Sequence, residues 1–128
     1  MTRVLEVVVT APDAEWLASF TRRLVEDRLV AGAHQVEAIR AIYRWEGAVH
    51  DRPESRVALH TTAACLHVII ERARVEHPYA VPCVVATEIV GGNPDYLAWV
   101  LEETHGDVEG FDDGRPSKPV GPVPTSLR

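Results

Sequence analysis

The chain has 128 residues, of which 46% are hydrophobic and 25% charged, and carries a formal net charge of −6. That size predicts one domain with a core that needs no disulfide or structural metal. The acidic balance weighs against a nucleic-acid partner, no apolar run is long enough to cross a bilayer, and the isolated Cys65 and Cys83 make neither a zinc ribbon nor a disulfide framework.

Residues 4–11, rich in Val and Leu and closed by Pro12, read as a buried strand. Asp13 is a candidate N-cap for a helix carrying Leu17, Phe20, Leu24 and Val25 and running to about Leu29, with Gly32 as punctuation. Residues 36–45 alternate as a strand does, but the phase slips. Val36 and Ala38 share one parity, while Ile39, Ala41, Tyr43 and Trp45 share the other, which predicts a bulge near residue 38 or 39. The polar run 50–55 reads as a hairpin tip, and Val57, Leu59 and Thr61 as the inward residues of the return strand.

Thr61 or Thr62 then caps a helix whose Leu66, Ile69, Ile70 and Ala73 fall on one stripe, with His67, Glu71 and Arg74 on the other side. Pro78 stops that helix, and residues 81–90 form a further strand. Asn93-Pro94 opens a last short helix, directing Leu97, Val100 and Leu101 inward and ending near Thr104. Residues 1–104 are the expected domain. The Gly- and Pro-rich residues 105–128 read as a disordered, solvated tail, with PSKPVGPVP as a possible polyproline-type ligand.

The order β-α-β-β-α-β plus a terminal helix is the α+β split βαβ, or ferredoxin-like, arrangement. Helices on one face of such a sheet leave the other bare. Both parities are apolar in places, as in Val4 beside Leu5 and Val84 beside Val85, so a partner subunit is expected to cover the remainder.

Four segments, VVVTAPD (7–13), YRWEG (43–47), HPYAVP (77–82) and GNPDYLAWV (92–100), resemble in order and spacing those of the CutA family. The resemblance covers about residues 4–104. It implies a cytoplasmic, non-enzymatic ferredoxin-like homotrimer, similar in architecture to the PII signal proteins and linked to divalent-cation tolerance, with copper binding in some members. Carried onto this chain, the family's metal-binding positions are Val9, Glu76 and His77. The cysteine usual at the first is therefore absent, His77 is kept, and Glu76 offers an oxygen ligand. Other departures are Gly32 for a cysteine, Ala48 and His60 for lysines, and Cys83 for a glutamate. The missing thiolates weaken a Cu(I)-selective site and leave Cu2+ or Zn2+ as the candidate metals.

The corner EHPYAVPCVV (76–85) supports two compatible readings. In one, His77 and Pro78 end the helix and Pro82 opens a strand where a missing N–H costs least. In the other, His77 is a metal ligand with Glu76, with Cys83 nearby. Tyr43, Trp45, Tyr96 and Trp99 are expected to bury area in a core or interface, and Glu46-Gly47 to form a strand end with a bulge. Glu6 and Glu88, set in apolar strands, need either solvent or a partner. Two further readings stay open. One is a PII-like sensor or scaffold taking a small anionic ligand between subunits. The other is an enzyme, for which Cys83 near His77 is the sole pair to test. The two thiols, and a start directly in VLEVVVTAP without a leader, fit a reducing cytoplasm.

Overall fold

The computed structural model describes residues 3–104. The expected disordered tail, 105–128, lies outside the described residues. The elements in order are β1 (Val4–Ala11), α1 (Ala14–Glu26), β2 (Gly32–Trp45), β3 (Ala48–Thr62), a 3-10 turn (Ala63–Cys65), α2 (Leu66–Glu76), β4 (Val84–Glu88) and α3 (Pro94–Glu103). The four strands form one antiparallel sheet in the order β2-β3-β1-β4. The expected α+β fold and terminal helix are present.

The local causes are visible. Asp13 caps α1 by accepting the amide of Glu15 (3.2 Å), and Asn93 caps α3 by accepting that of Asp95 (3.0 Å) with Pro94 in the first turn. The slip in β2 is a register shift between Val36 and Ile39. On one face of the sheet, Leu5, Val7, Val9, Val57 and Leu59 pack against Leu17, Phe20 and Leu24 of α1 and Ile69 and Ala73 of α2. Each such side chain contributes about 1.5–3 kcal/mol by leaving water, as an upper figure.

Several boundaries differ from the sequence reading. The hairpin tip is Glu46-Gly47, not residues 50–55, which lie inside β3. Glu46 has φ 49° and Gly47 φ 81°, the pair of positive angles that a two-residue hairpin turn demands. Pro53 is tolerated in β3 because β1 pairing stops at Ser55, so β3 has one strand neighbour there. The second strand begins at Gly32 rather than 36, α1 ends at Glu26 rather than Leu29, and β4 is shorter than 81–90. Arg28 ends the first helix in the left-handed region, at φ 62°.

The second face of the sheet is not wholly bare. Val100 of α3 is fully buried there in a cluster with Val4 and Ala31, and Tyr96, Leu97 and Trp99 pack against it. Val36, Ile42, Val49 and Val85 stay more than half exposed on the strands.

Candidate functional site

The corner after α2 is built around His77. It caps α2 in extended conformation (φ −67°, ψ 142°), as the following proline requires. Its ring turns inward, 7% exposed, edge-on to Trp16 at 5.0 Å. Nε2 lies 2.7 Å from the carbonyl oxygen of Thr10, and Nδ1 lies 2.9 Å from the amide nitrogen of Tyr79. A carbonyl only accepts and an amide only donates. The ring is therefore the neutral tautomer with the proton on Nε2, and both nitrogens are in use.

Tyr79 extends the corner towards the hairpin. Its hydroxyl donates to Glu54 Oε2 at 2.7 Å, and Glu54 is 5% exposed. Burial first, and the Glu54 carboxylate second, push the Tyr79 phenol well above its usual range; Tyr43 adds to the effect. Ser55, beside Glu54, donates to the Glu37 carbonyl at 2.9 Å. These contacts tie the base of the hairpin to the end of α2 and to β1.

Glu76 does not join His77. It binds the Arg23 guanidinium of α1 at 2.5 Å. Cys83 is an exposed free thiol and Cys65 a buried one. Because His77 spends both ring nitrogens on backbone groups, it is not held as a base for Cys83. Among the described residues no cluster of three or more His, Cys, Asp or Glu side chains is placed to hold a metal ion. Among the described residues of one chain, then, the donor set does not fit a metal centre. His67 is exposed on α2, and the adjacent Glu71 pairs with Arg74 at 2.7 Å.

A second polar cluster lies on the other face of the sheet. Glu6 and His60 are register partners on β1 and β3. Glu6 Oε1 meets His60 Nε2 at 2.9 Å, and His60 Nδ1 meets the Tyr96 hydroxyl of α3 at 2.5 Å. The edge of His34 from β2 approaches the His60 ring at 5.6 Å. Glu6 thus finds its partner within the chain. Glu88 reaches Arg3 at 4.0 Å, with both exposed. Sequence reasoning found no role for His60 and placed Glu54 in a turn. Strand parity sets Glu6 and His60 on one face, but the α3 crossing that brings Tyr96 to them has no local signal.

Comparison with known proteins places this architecture. The family described as "CutA1 divalent ion tolerance protein" matches residues 5–103. The divalent-cation tolerance protein CutA of Thermus thermophilus is 38% identical over 98 residues, spanning 77% of this chain and 95% of its own. The Pyrococcus horikoshii CutA is 36% identical with the same two coverages. The chloroplastic CutA of Arabidopsis thaliana is 33% identical, and this chain spans 54% of its length. Among solved structures, Thermus thermophilus Cut A1 superposes with TM-score 0.76 at 37% identity, covering 79% of this chain and 98% of its own. CutA1 from Oryza sativa gives TM-score 0.77 at 31% identity, covering 80% and 94%. The chain therefore belongs to the CutA1 divalent ion tolerance family.

Proposed function

We propose that the protein acts as a self-associating, non-enzymatic divalent-cation tolerance protein, with the homotrimer as its working unit and a reducing cytoplasm as its location. The observation that carries self-association is apolar exposure on the sheet. Ile42 is 63% exposed, Val49 64% and Val85 55%, all side chains of sheet strands. Covering such residues with neighbouring copies stabilises by about 1.5–3 kcal/mol per fully buried side chain. Free Cys65 and Cys83 fit the cytoplasmic reading.

Metal association, with Cu2+ or Zn2+ as the candidates, follows from the family description alone. His77 and Glu76 are the ligands that the resemblance offers. A cation there has to displace the Thr10 and Tyr79 contacts and the Arg23 ion pair, so any binding is weak or drawn from more than one copy. Light scattering of the purified chain is expected to give three times the monomer mass; a folded monomer at micromolar concentration sinks the proposal. Calorimetric titration with Cu2+ and Zn2+ is run beside a His77→Ala variant. Equal heats for both proteins remove His77 as a ligand.

A further inference from the structure

Of the ten arginines among the described residues, seven meet a carboxylate within 4.0 Å. The other three, Arg44, Arg52 and Arg56, all lie on the long β2–β3 hairpin. Arg52 and Arg56 are four apart on β3, so they share a face of the sheet. That face is the one α3 crosses, because His60, of the same parity, meets the Tyr96 hydroxyl there. Glu54, between the two arginines, is buried and accepts from Tyr79, and it pairs with neither. Arg52 meets only the His50 ring, at 3.3 Å. Val36, the register partner of Arg56, is 51% exposed. The face thus presents two guanidinium groups without a carboxylate beside an uncovered valine, in a chain whose formal net charge is −6.

The chain continues past α3 with HGDVEGFDDG (105–114). This stretch holds Asp107, Glu109, Asp112 and Asp113, no Lys or Arg, and the apolar Val108 and Phe111. We propose that residues 107–113 dock on the hairpin face that carries Arg52 and Arg56, carboxylates against the two guanidinium groups and apolar side chains over Val36. The occupant is complementary in both respects: it is acidic where the face is cationic, and it brings apolar area where the face leaves a valine in water. Arg44 has the opposite parity, with Val49 as its register partner, and takes no part.

The place where α3 ends makes the contact reachable. The Arg28 guanidinium holds the carbonyls of Glu102 and Glu103, and a Cβ added at Gly32 would lie 3.3 Å from the Trp99 ring. The last turn of α3 therefore sits beside the start of β2, on the same face as the two arginines. The nine steps of β2 from Gly32 to Ala41, the register partner of Arg52, span about 30 Å. The nine steps from Thr104 to Asp113 extend to the same length, about 30 Å. Exposed ion pairs are individually weak, about 0–1 kcal/mol. A short tether offsets this by holding the segment at an effective concentration on the order of millimolar, so modest pairing suffices.

The test is paramagnetic relaxation enhancement in the full-length chain. A nitroxide is attached at Gly110→Cys in a Cys83→Ser background, where the remaining Cys65 is buried. At low salt the amide signals of Val36, Ala41, Arg52 and Arg56 are expected to broaden. Salt at about 1 M, where the Debye length is about 3 Å, should remove the broadening. Arg52→Glu with Arg56→Glu should abolish it, and adding Asp112→Arg with Asp113→Arg should restore it. Arg44→Glu, which changes the net charge on the other face, should leave it in place. Circular dichroism checks that each variant is folded, and Arg52→Gln with Arg56→Gln replaces the charge reversal if that perturbs the fold. Broadening confined to residues next to Thr104, or broadening that survives removal of both arginine charges, overturns the proposal.

Discussion

The imidazole of His77 donates to the carbonyl of Thr10 at 2.7 Å, joining the end of α2 to the end of β1 across the core. The two residues are far apart in sequence, and the bond holds the corner where the chain leaves the helices and re-enters the sheet. A buried ring with both nitrogens satisfied is a structural element first.

Replacing that ring is therefore expected to be costly. His77→Ala leaves the Thr10 carbonyl and the Tyr79 amide without their partner and opens space beside Trp16. The expected loss is about 2–4 kcal/mol. Urea unfolding of the two proteins measures it. A loss below about 0.5 kcal/mol, the level of a neutral surface change, would show that the corner does not depend on His77.

The hairpin tip offers a change in the other direction. Glu46 occupies the left-handed region at φ 49°, where a side chain other than Gly, Asn or Asp costs about 1–2 kcal/mol. Glu46→Asn should stabilise by several tenths to about 1 kcal/mol, because Asn-Gly suits this turn. Gly47→Val should destabilise by about 1 kcal/mol or more. An added Cβ at Gly47 meets nothing within 4 Å, so the cost comes from the backbone angle alone. Thermal melts of both variants should move in opposite directions.

Arg28 combines a strained backbone with a useful side chain. Its guanidinium donates to the carbonyls of Glu102 at 2.7 Å and Glu103 at 3.3 Å, at the C-terminal end of α3. Arg28→Ala keeps the unfavourable φ and loses both bonds. Arg28→Gly loses the same bonds but relieves the strain. The glycine variant should be the more stable by about 1 kcal/mol, the reverse of ordinary helix propensity. Amide hydrogen exchange in α3 should quicken in both, since the lost bonds are at that helix.

Tyr79 predicts a pH dependence. Its phenol is held above its unfolded value by burial and by Glu54. A raised folded value means that the folded state holds the proton more tightly. The associated stability is complete below about pH 10, the ordinary tyrosine value, and is lost as pH rises through the higher folded one. Unfolding measured from neutral to strongly alkaline pH should show this fall in the parent and a shallower one in Tyr79→Phe. Identical slopes would mean that the Tyr79–Glu54 bond is not maintained in solution.

How far these features were legible differs by kind. Asp13, Asn93-Pro94 and Pro78 act within a few residues, so helix ends could be read where they occur. The bulge was legible because a one-residue slip changes which side chains face the core. The hairpin tip was not. Polar residues 50–55 read as a turn, but β3 runs through them, and from His50 to Glu54 it pairs with β2 alone. Glu46-Gly47 was the better signal, being two residues between strand-like runs. Ligand expectations at His77 and Glu76 rested on resemblance. Which atoms each meets was decided by Thr10 and Arg23, on other elements.

The order of elements, the periodicity of their apolar faces and the caps that bound them follow from residues near one another in the chain. They were therefore determined by the amino-acid sequence read locally, and with them the ferredoxin-like topology. Tertiary structure alone decided the polar partnerships: His77 with Thr10, Glu54 with Tyr79, and Glu6 with His60 and Tyr96. The reason is physical. A buried polar group takes whichever donor or acceptor the packed fold brings within about 3 Å, and that choice is made by strand register and helix crossing.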